Sequence, residues 1–138
     1  MESEAKQTVD KTKEGKHTDY IYMVSGDRLI ISLNAELDHH LADEMREVID
    51  GVIDNRGVKN IVFDFSKVGF MDSAGIGLIM GRYKKIRDIG CICVAGANES
   101  VQRIILISGL HKIVRTYGDV NQAVKGLKKS VGGKKNEK

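Results

Sequence analysis

The 138-residue chain has no proline and no tryptophan, and aromatic side chains make up only 5% of it. The missing proline removes one strong marker of turns and helix ends, so glycine and the capping residues are left to set the boundaries. Long apolar runs are missing too. The densest, Val101 to Leu110, is interrupted by Gln102, Arg103 and Ser108 and falls short of the roughly 18 apolar residues that a bilayer span needs, so no membrane partner is expected. The first nineteen residues are polar and lack the apolar centre of a secretory signal, which argues against export by that route and for a cytoplasmic address. Only two cysteines occur, and Cys91 and Cys93 alternate with Ile92 and Val94 in a strand-like run, so buried reduced thiols are expected.

The chain contains 41% apolar and 30% charged residues, an ordinary composition for a soluble protein, and its length suits one domain burying roughly two-thirds of its unfolded surface. The formal charge of +3 is not spread evenly. Residues 20 to 124 carry twelve Lys and Arg against thirteen acids, whereas residues 125 to 138 carry six Lys and one acid. The basic excess is therefore a tail, and no direct nucleic-acid contact is expected of the near-neutral globular part. We divide the chain into a polar extension at 1–18, expected disordered, a domain at 19–128, and a lysine-rich tail at 129–138, also expected disordered.

Tyr20 to Ser25 and Arg28 to Leu33 are β-prone runs separated by Gly26-Asp27, a strong hairpin signal. Apolar residues then recur at helical spacing from Leu41 to Ile53, with Asp38 as the expected N-cap. Asn60 to Phe65 and Cys91 to Ala95 predict buried strands, and Ser73 to Ile89 between them predicts a helix closed by Gly90. Asn98 starts a further helix that Gly109 ends, and Ile113 to Tyr117 is a short last strand. Asp119 with Gln122 resembles a capping box for a final helix. The order ββαβαβαβα implies an α/β fold, with a mostly parallel mixed sheet, an antiparallel edge pair and packed helices.

The informative stretch is Phe70-Met71-Asp72-Ser73-Ala74-Gly75-Ile76-Gly77, continuing to Gly81-Arg82. Ser73 falls where a loop leaving a strand meets a helix start, and free N–H groups and the positive dipole end there favour an added anion. Serine is also a preferred cap, so capping alone is the plainer account of Ser73 from its position. Gly75, Gly77 and Gly81 each cost a helix about 1 kcal/mol relative to alanine, which something must offset. We expect Gly81 to serve close packing on the sheet and Gly75 to leave a bare patch for a partner.

These residues resemble the anti-sigma factor antagonists, the single-domain STAS proteins, and among them the sporulation branch that releases sigma F. The similarity covers roughly residues 18 to 127, and its main elements are Glu36-Leu37-Asp38-His39-His40, the Asp72-Ser73-Ala74-Gly75 motif, Gly81-Arg82-Tyr83-Lys84 and Ser108-Gly109-Leu110. It implies a STAS-like domain that catalyses nothing, needs no cofactor and works by partner switching. The unphosphorylated form would bind an anti-sigma factor that is also a serine kinase, freeing the sigma factor. That kinase would then phosphorylate Ser73, and a PP2C-type phosphatase would reverse the step. The implied partner surface is Asp38, Asp72, Ser73, Gly75, Ile76 and Gly77. Two departures stand out: Ala35 where the family has glycine, and Ala74 in place of a second motif serine, which leaves Ser73 as the acceptor.

Enzyme readings fit poorly. Gly75-x-Gly77-x-x-x-Gly81 misses the spacing of a dinucleotide loop. Asp38-His39-His40 resembles part of a metal phosphoesterase motif, but the other histidines, His17 and His111, lie in a polar terminus and a loop. No histidine or lysine has a sequence reason to activate Ser73 as a nucleophile. A second class of function is a STAS module in a lipid transporter or stress-sensing scaffold, binding its partner without a phosphate cycle.

Overall fold

The structure, a computed structural model, describes residues 19–137, with side chains described as far as Lys128. The polar extension at 1–18 and the last residue lie outside it. Strands β1 (Tyr20–Ser25) and β2 (Arg28–Leu33) form the antiparallel pair, followed by α1 (His39–Arg56), β3 (Asn60–Asp64), α2 (Ser73–Ile86), β4 (Ile92–Ala95), α3 (Glu99–Ser108), a 3₁₀ turn (Leu110–Lys112), β5 (Val114–Tyr117) and α4 (Val120–Glu137). Gly26 takes the tight turn between β1 and β2 at φ 63°, where a Cβ would be strained. The helix α4 continues to Glu137, through most of the segment read from sequence as a tail.

The five strands lie in the order β1-β2-β3-β4-β5, with β2 to β5 mutually parallel. Because the parallel strands advance in one direction, right-handed crossovers put α1, α2 and α3 on the same face of the sheet. The burial pattern agrees. Leu29, Ile31, Ile61, Phe63, Ile92 and Val94 meet Met45, Ile49, Ile79, Ile86 and Ile105 in one large core. The alternate residues Val62, Cys93 and Ala95 point the other way and meet Ala123 and Leu127 of α4 in a smaller one. On the second face of the sheet Ile30 of β2 packs against the smaller core, while Ile21 and Met23 of β1 are exposed among the described residues.

Local signals explain most boundaries. Asp38, Asn98 and Asp119 accept hydrogen bonds from the backbone N–H groups of Leu41, Val101 and Gln122 at 3.0, 2.8 and 2.8 Å. Gln122 reaches back to the N–H of Gly118, one residue earlier than a strict capping box requires. One boundary differs from expectation. The helix α2 stops at Ile86, and Gly90 is not its left-handed cap: Gly90 N–H bonds the Ile86 carbonyl, and a Cβ there would run into the Lys59 backbone carbonyl. Gly90 is thus needed because the α2–β4 connection passes against the start of β3, a contact between residues thirty-one positions apart that spacing does not reveal.

Candidate functional site

The loops leaving β2 and β3 run side by side at the carboxyl ends of their strands. Leu37 and Met71 form an isolated parallel bridge, with Leu37 N–H donating to the Phe70 carbonyl at 3.0 Å and Asp72 N–H to the Leu37 carbonyl at 3.2 Å. Both side chains are wholly buried, so each loop is pegged into the core one residue before the cap of its helix. The residues next in line are Asp38 and Asp72. Both have extended backbone and both cap a helix, Asp72 accepting from Ala74 N–H at 2.8 Å. The N-termini of α1 and α2 are therefore held together as one unit. A third tie comes from α3, whose cap Asn98 donates through Nδ2 to the Val68 carbonyl at 3.4 Å.

Asp72 takes the capping position considered for Ser73, which corrects the plainer account of that serine. Ser73 is the first helical residue, exposed, and its hydroxyl makes no hydrogen bond among the described residues. The carboxyl of Asp38 is held below its ordinary value of 3.8, chiefly by the Leu41 N–H and less by the neighbouring His40 and His39. His39 and His40 are both exposed, their ring centroids 4.0 Å apart, and no group of three or more metal-ligating side chains forms among the described residues.

The close packing expected of Gly81 falls on Gly75 instead. Gly75 is buried, and a Cβ on it would lie 2.9 Å from Leu37 Cγ and 3.2 Å from the Leu37 carbonyl oxygen. Its missing side chain is what lets α2 rest on the pegged loop. Gly77 and Gly81 meet nothing within 4 Å, so neither serves packing within the described residues. Ile76 is half-buried, while Phe70 and Met80 are 45% and 39% exposed, giving the surface beside Ser73 an apolar character.

Behind this surface an ion pair that sequence reasoning missed joins the two helices. Arg82 Nε lies 3.0 Å from Asp50 Oδ1 with the arginine side chain only 8% exposed, and Lys85 Nζ lies 3.5 Å from the same oxygen. The 3.0 Å contact is not aligned as a hydrogen bond, so it acts through charge. Burial pulls the Arg82 guanidinium below its ordinary value, against the support of Asp50. The only sequence signal was an arginine amid the apolar positions of α2.

The pegged pair of loops, the capped helix start and the β1-to-β5 order define a class of protein. The family model for the STAS domain matches residues 20–123, and the chain belongs to that family. Within it, the chain is 40% identical over 100 residues to an anti-sigma F factor antagonist of Paenibacillus polymyxa, a match covering 72% of this chain and 86% of that one. It is similar to the anti-sigma factor antagonist SpoIIAA in its unphosphorylated form (TM-score 0.72, 27% identity, 79% of this chain and 96% of that one). It is also similar to the Bacillus cell fate determinant SpoIIAA in the phosphorylated form (TM-score 0.63, 27% identity, 77% and 96%). No described helix is long and apolar enough to cross a membrane.

Proposed function

We propose that the chain is a cytoplasmic anti-sigma factor antagonist with no catalytic activity of its own, switched by phosphate on Ser73. In the unphosphorylated form, the surface made by Asp38, Asp72, Ser73, Gly75, Ile76 and Gly77 binds an anti-sigma factor serine kinase and so releases a sigma factor. Phosphate transferred to Ser73 by that kinase ends the complex, and a PP2C-type phosphatase restores it. Of these residues, Gly75 acts from below by seating α2 on Leu37, and Gly77 supplies the bare helix surface.

One observation carries this reading: the Ser73 hydroxyl is exposed and uncommitted at the first turn of α2, with Asp72 already filling the cap. A hydroxyl needed for capping would be withheld from a kinase; this one makes no hydrogen bond among the described residues. The added phosphate brings about 1.5 to 2 negative charges into a neutral contact, where desolvation and repulsion by Asp72 act against the complex. The names of the relatives point the same way.

Reaction of the full chain with ATP and an anti-sigma serine kinase, followed by intact and fragment mass analysis, is expected to show one phosphate, on Ser73. The Ser73→Ala variant is expected to take up none and to bind the kinase in the presence of ATP without release. Titration calorimetry is expected to find Ser73→Asp or Ser73→Glu weaker by about a hundredfold, since like charge brought into an interface costs several kcal/mol. An unmodified wild-type chain would favour a STAS module acting without a phosphate cycle. Equal affinities for the alanine and acidic variants would remove Ser73 from the interface.

A further inference from the structure

Between β4 and β5 the sheet changes the side on which its connections leave. The loop after β4 leads to α3 on the face of the large core, whereas the loop after β5 leads to α4 on the opposite face. This is the only such reversal among the described parallel strands, and the two loops part at their carboxyl ends. In open α/β sheets that parting is where ligands bind, because loops diverging to opposite sides leave a crevice that no helix fills.

The crevice is present here, with a volume of about 790 Å³. Its floor is Val94, Gly96 and Thr116 at the strand ends, and its wall is the face of α3 carrying Glu99, Arg103 and Leu106. His111 of the 3₁₀ turn also lines it. The volume lies within the range of small-ligand pockets, roughly 300–1,000 Å³. It is separate from the Ser73 surface, which sits over β2 and β3.

The polar groups limit what it takes. Gln102 and Tyr117, which also line it, are already engaged. Gln102 donates through Nε2 to the Ala97 carbonyl at 2.8 Å, and the Tyr117 ring lies against Gly126 of α4. Arg103 forms no ion pair among the described residues, not even with Glu99 one turn earlier on the same helix. A guanidinium left without a carboxylate among the described residues, in a crevice that an imidazole also lines, with Leu106 and Ile105 as the apolar part of the wall, is a place for an anion that carries an apolar body. Glu99 sets the polarity along the wall: it disfavours anions at its own end and leaves Arg103 as the anchor.

We infer that the crevice between α3 and the carboxyl ends of β4 and β5 binds a small organic anion with an apolar body, its charged group on Arg103. This goes beyond the partner-switching reading and does not depend on it. Octanoate, below its aggregation limit, is the probe, with octanol and octylamine as the neutral and cationic arms, read on the ¹⁵N-labelled full chain by NMR. Octanoate is expected to shift amides of Gly96, Arg103, Leu106, His111 and Gly118 saturably, and octylamine to leave them in place. Arg103→Gln is expected to raise the octanoate dissociation constant at least fivefold, and Glu99→Gln to lower it. Both positions are exposed, so the fold is kept and both variants can be measured. Absence of saturable shifts at these amides, equal response to octanol, or unchanged affinity in Arg103→Gln would each overturn the proposal.

Discussion

Asp38 and Asp72 carry the same capping chemistry, and only one of them adjoins the serine, so their charges have separate tests. Asn caps a helix about as well as Asp, whereas Ala forfeits about 1 kcal/mol. Asp38→Asn is therefore expected to leave thermal stability near that of the wild type while weakening the kinase complex, and Asp38→Ala to lower both. Calorimetry of folding and of binding separates the two effects, and full affinity in Asp38→Asn would reduce Asp38 to a cap. Because its carboxyl is depressed in the folded chain, the stability it adds is present above the unfolded value of 3.8 and is lost as pH falls through the folded one. Tyr20 gives the opposite sign at the other end of the scale. Burial, with Glu44 and Tyr22 adding to it, pushes its phenol from 10.0 up to about 12. Its contribution is complete below pH 10 and is lost as pH rises from there through about 12, a change on the order of 1–2 kcal/mol. Denaturant titrations across that window are expected to show a steeper loss for the wild type than for Tyr20→Phe. Parallel slopes would mean the phenol is not buried as described.

At the scale of elements, the three glycines of α2 make different predictions. Alanine at Gly77 or Gly81 enters open space, so each substitution is expected to stabilise the helix by about 0.5–1 kcal/mol in urea melts. Alanine at Gly75 meets Leu37, whose side chain is fully buried and whose carbonyl already accepts from Asp72, so neither can yield. A net loss of about 1–2 kcal/mol is expected there despite the gain in helix propensity. If Gly77→Ala is stabilising yet weakens the kinase complex, its glycine serves a partner; unchanged binding would leave the cost of Gly77 unexplained. This division was not legible in the sequence, because it depends on Leu37, thirty-eight positions away, and spacing along one helix carries no such information. The same limit hid Asp72 as the cap: Asp and Ser are both good caps, and the choice between them is made by the pegging of Met71. It also hid the Arg82–Asp50 pair, since Asp50 reads as one more acid on a solvated face. What was legible rests on local chemistry: the Gly26-Asp27 hairpin, the caps Asp38 and Asn98, and Gly109 as the left-handed end of α3.

For the molecule as a whole, phosphorylation of Ser73 is expected to leave the domain as it is and to work by blocking its surface. Ser73 stands on the rim of the fold, at the carboxyl end of the sheet, and the residues beneath it are fixed three ways. Leu37 and Met71 peg the loops, Asn98 ties the β3–α2 connection to α3, and Arg82 with Lys85 holds α1 to α2 through Asp50. None of these contacts includes the Ser73 hydroxyl, so modifying it breaks no bond within the described structure. The cost of the charge is also local. Asp72 repels it, while the dipole of the fourteen-residue α2 and the amide of Ser73 favour it by up to about 1 kcal/mol, so the two effects nearly cancel in the free protein. In a complex the same phosphate is desolvated against a partner shaped for a hydroxyl, and there nothing offsets it. Backbone NMR of the two forms should therefore show shifts confined to residues 72 to 77 and the adjoining loop around Asp38. Unfolding free energies from denaturant titrations should agree to within about 0.5 kcal/mol, as expected of a surface change that disturbs no buried group. Shifts running through Ile61, Phe63 and Val94 would mean that the large core repacks, because those side chains lie under α1, α2 and α3 and sense any movement of the helices. The switch would then be conformational, and the exposed hydroxyl only its trigger.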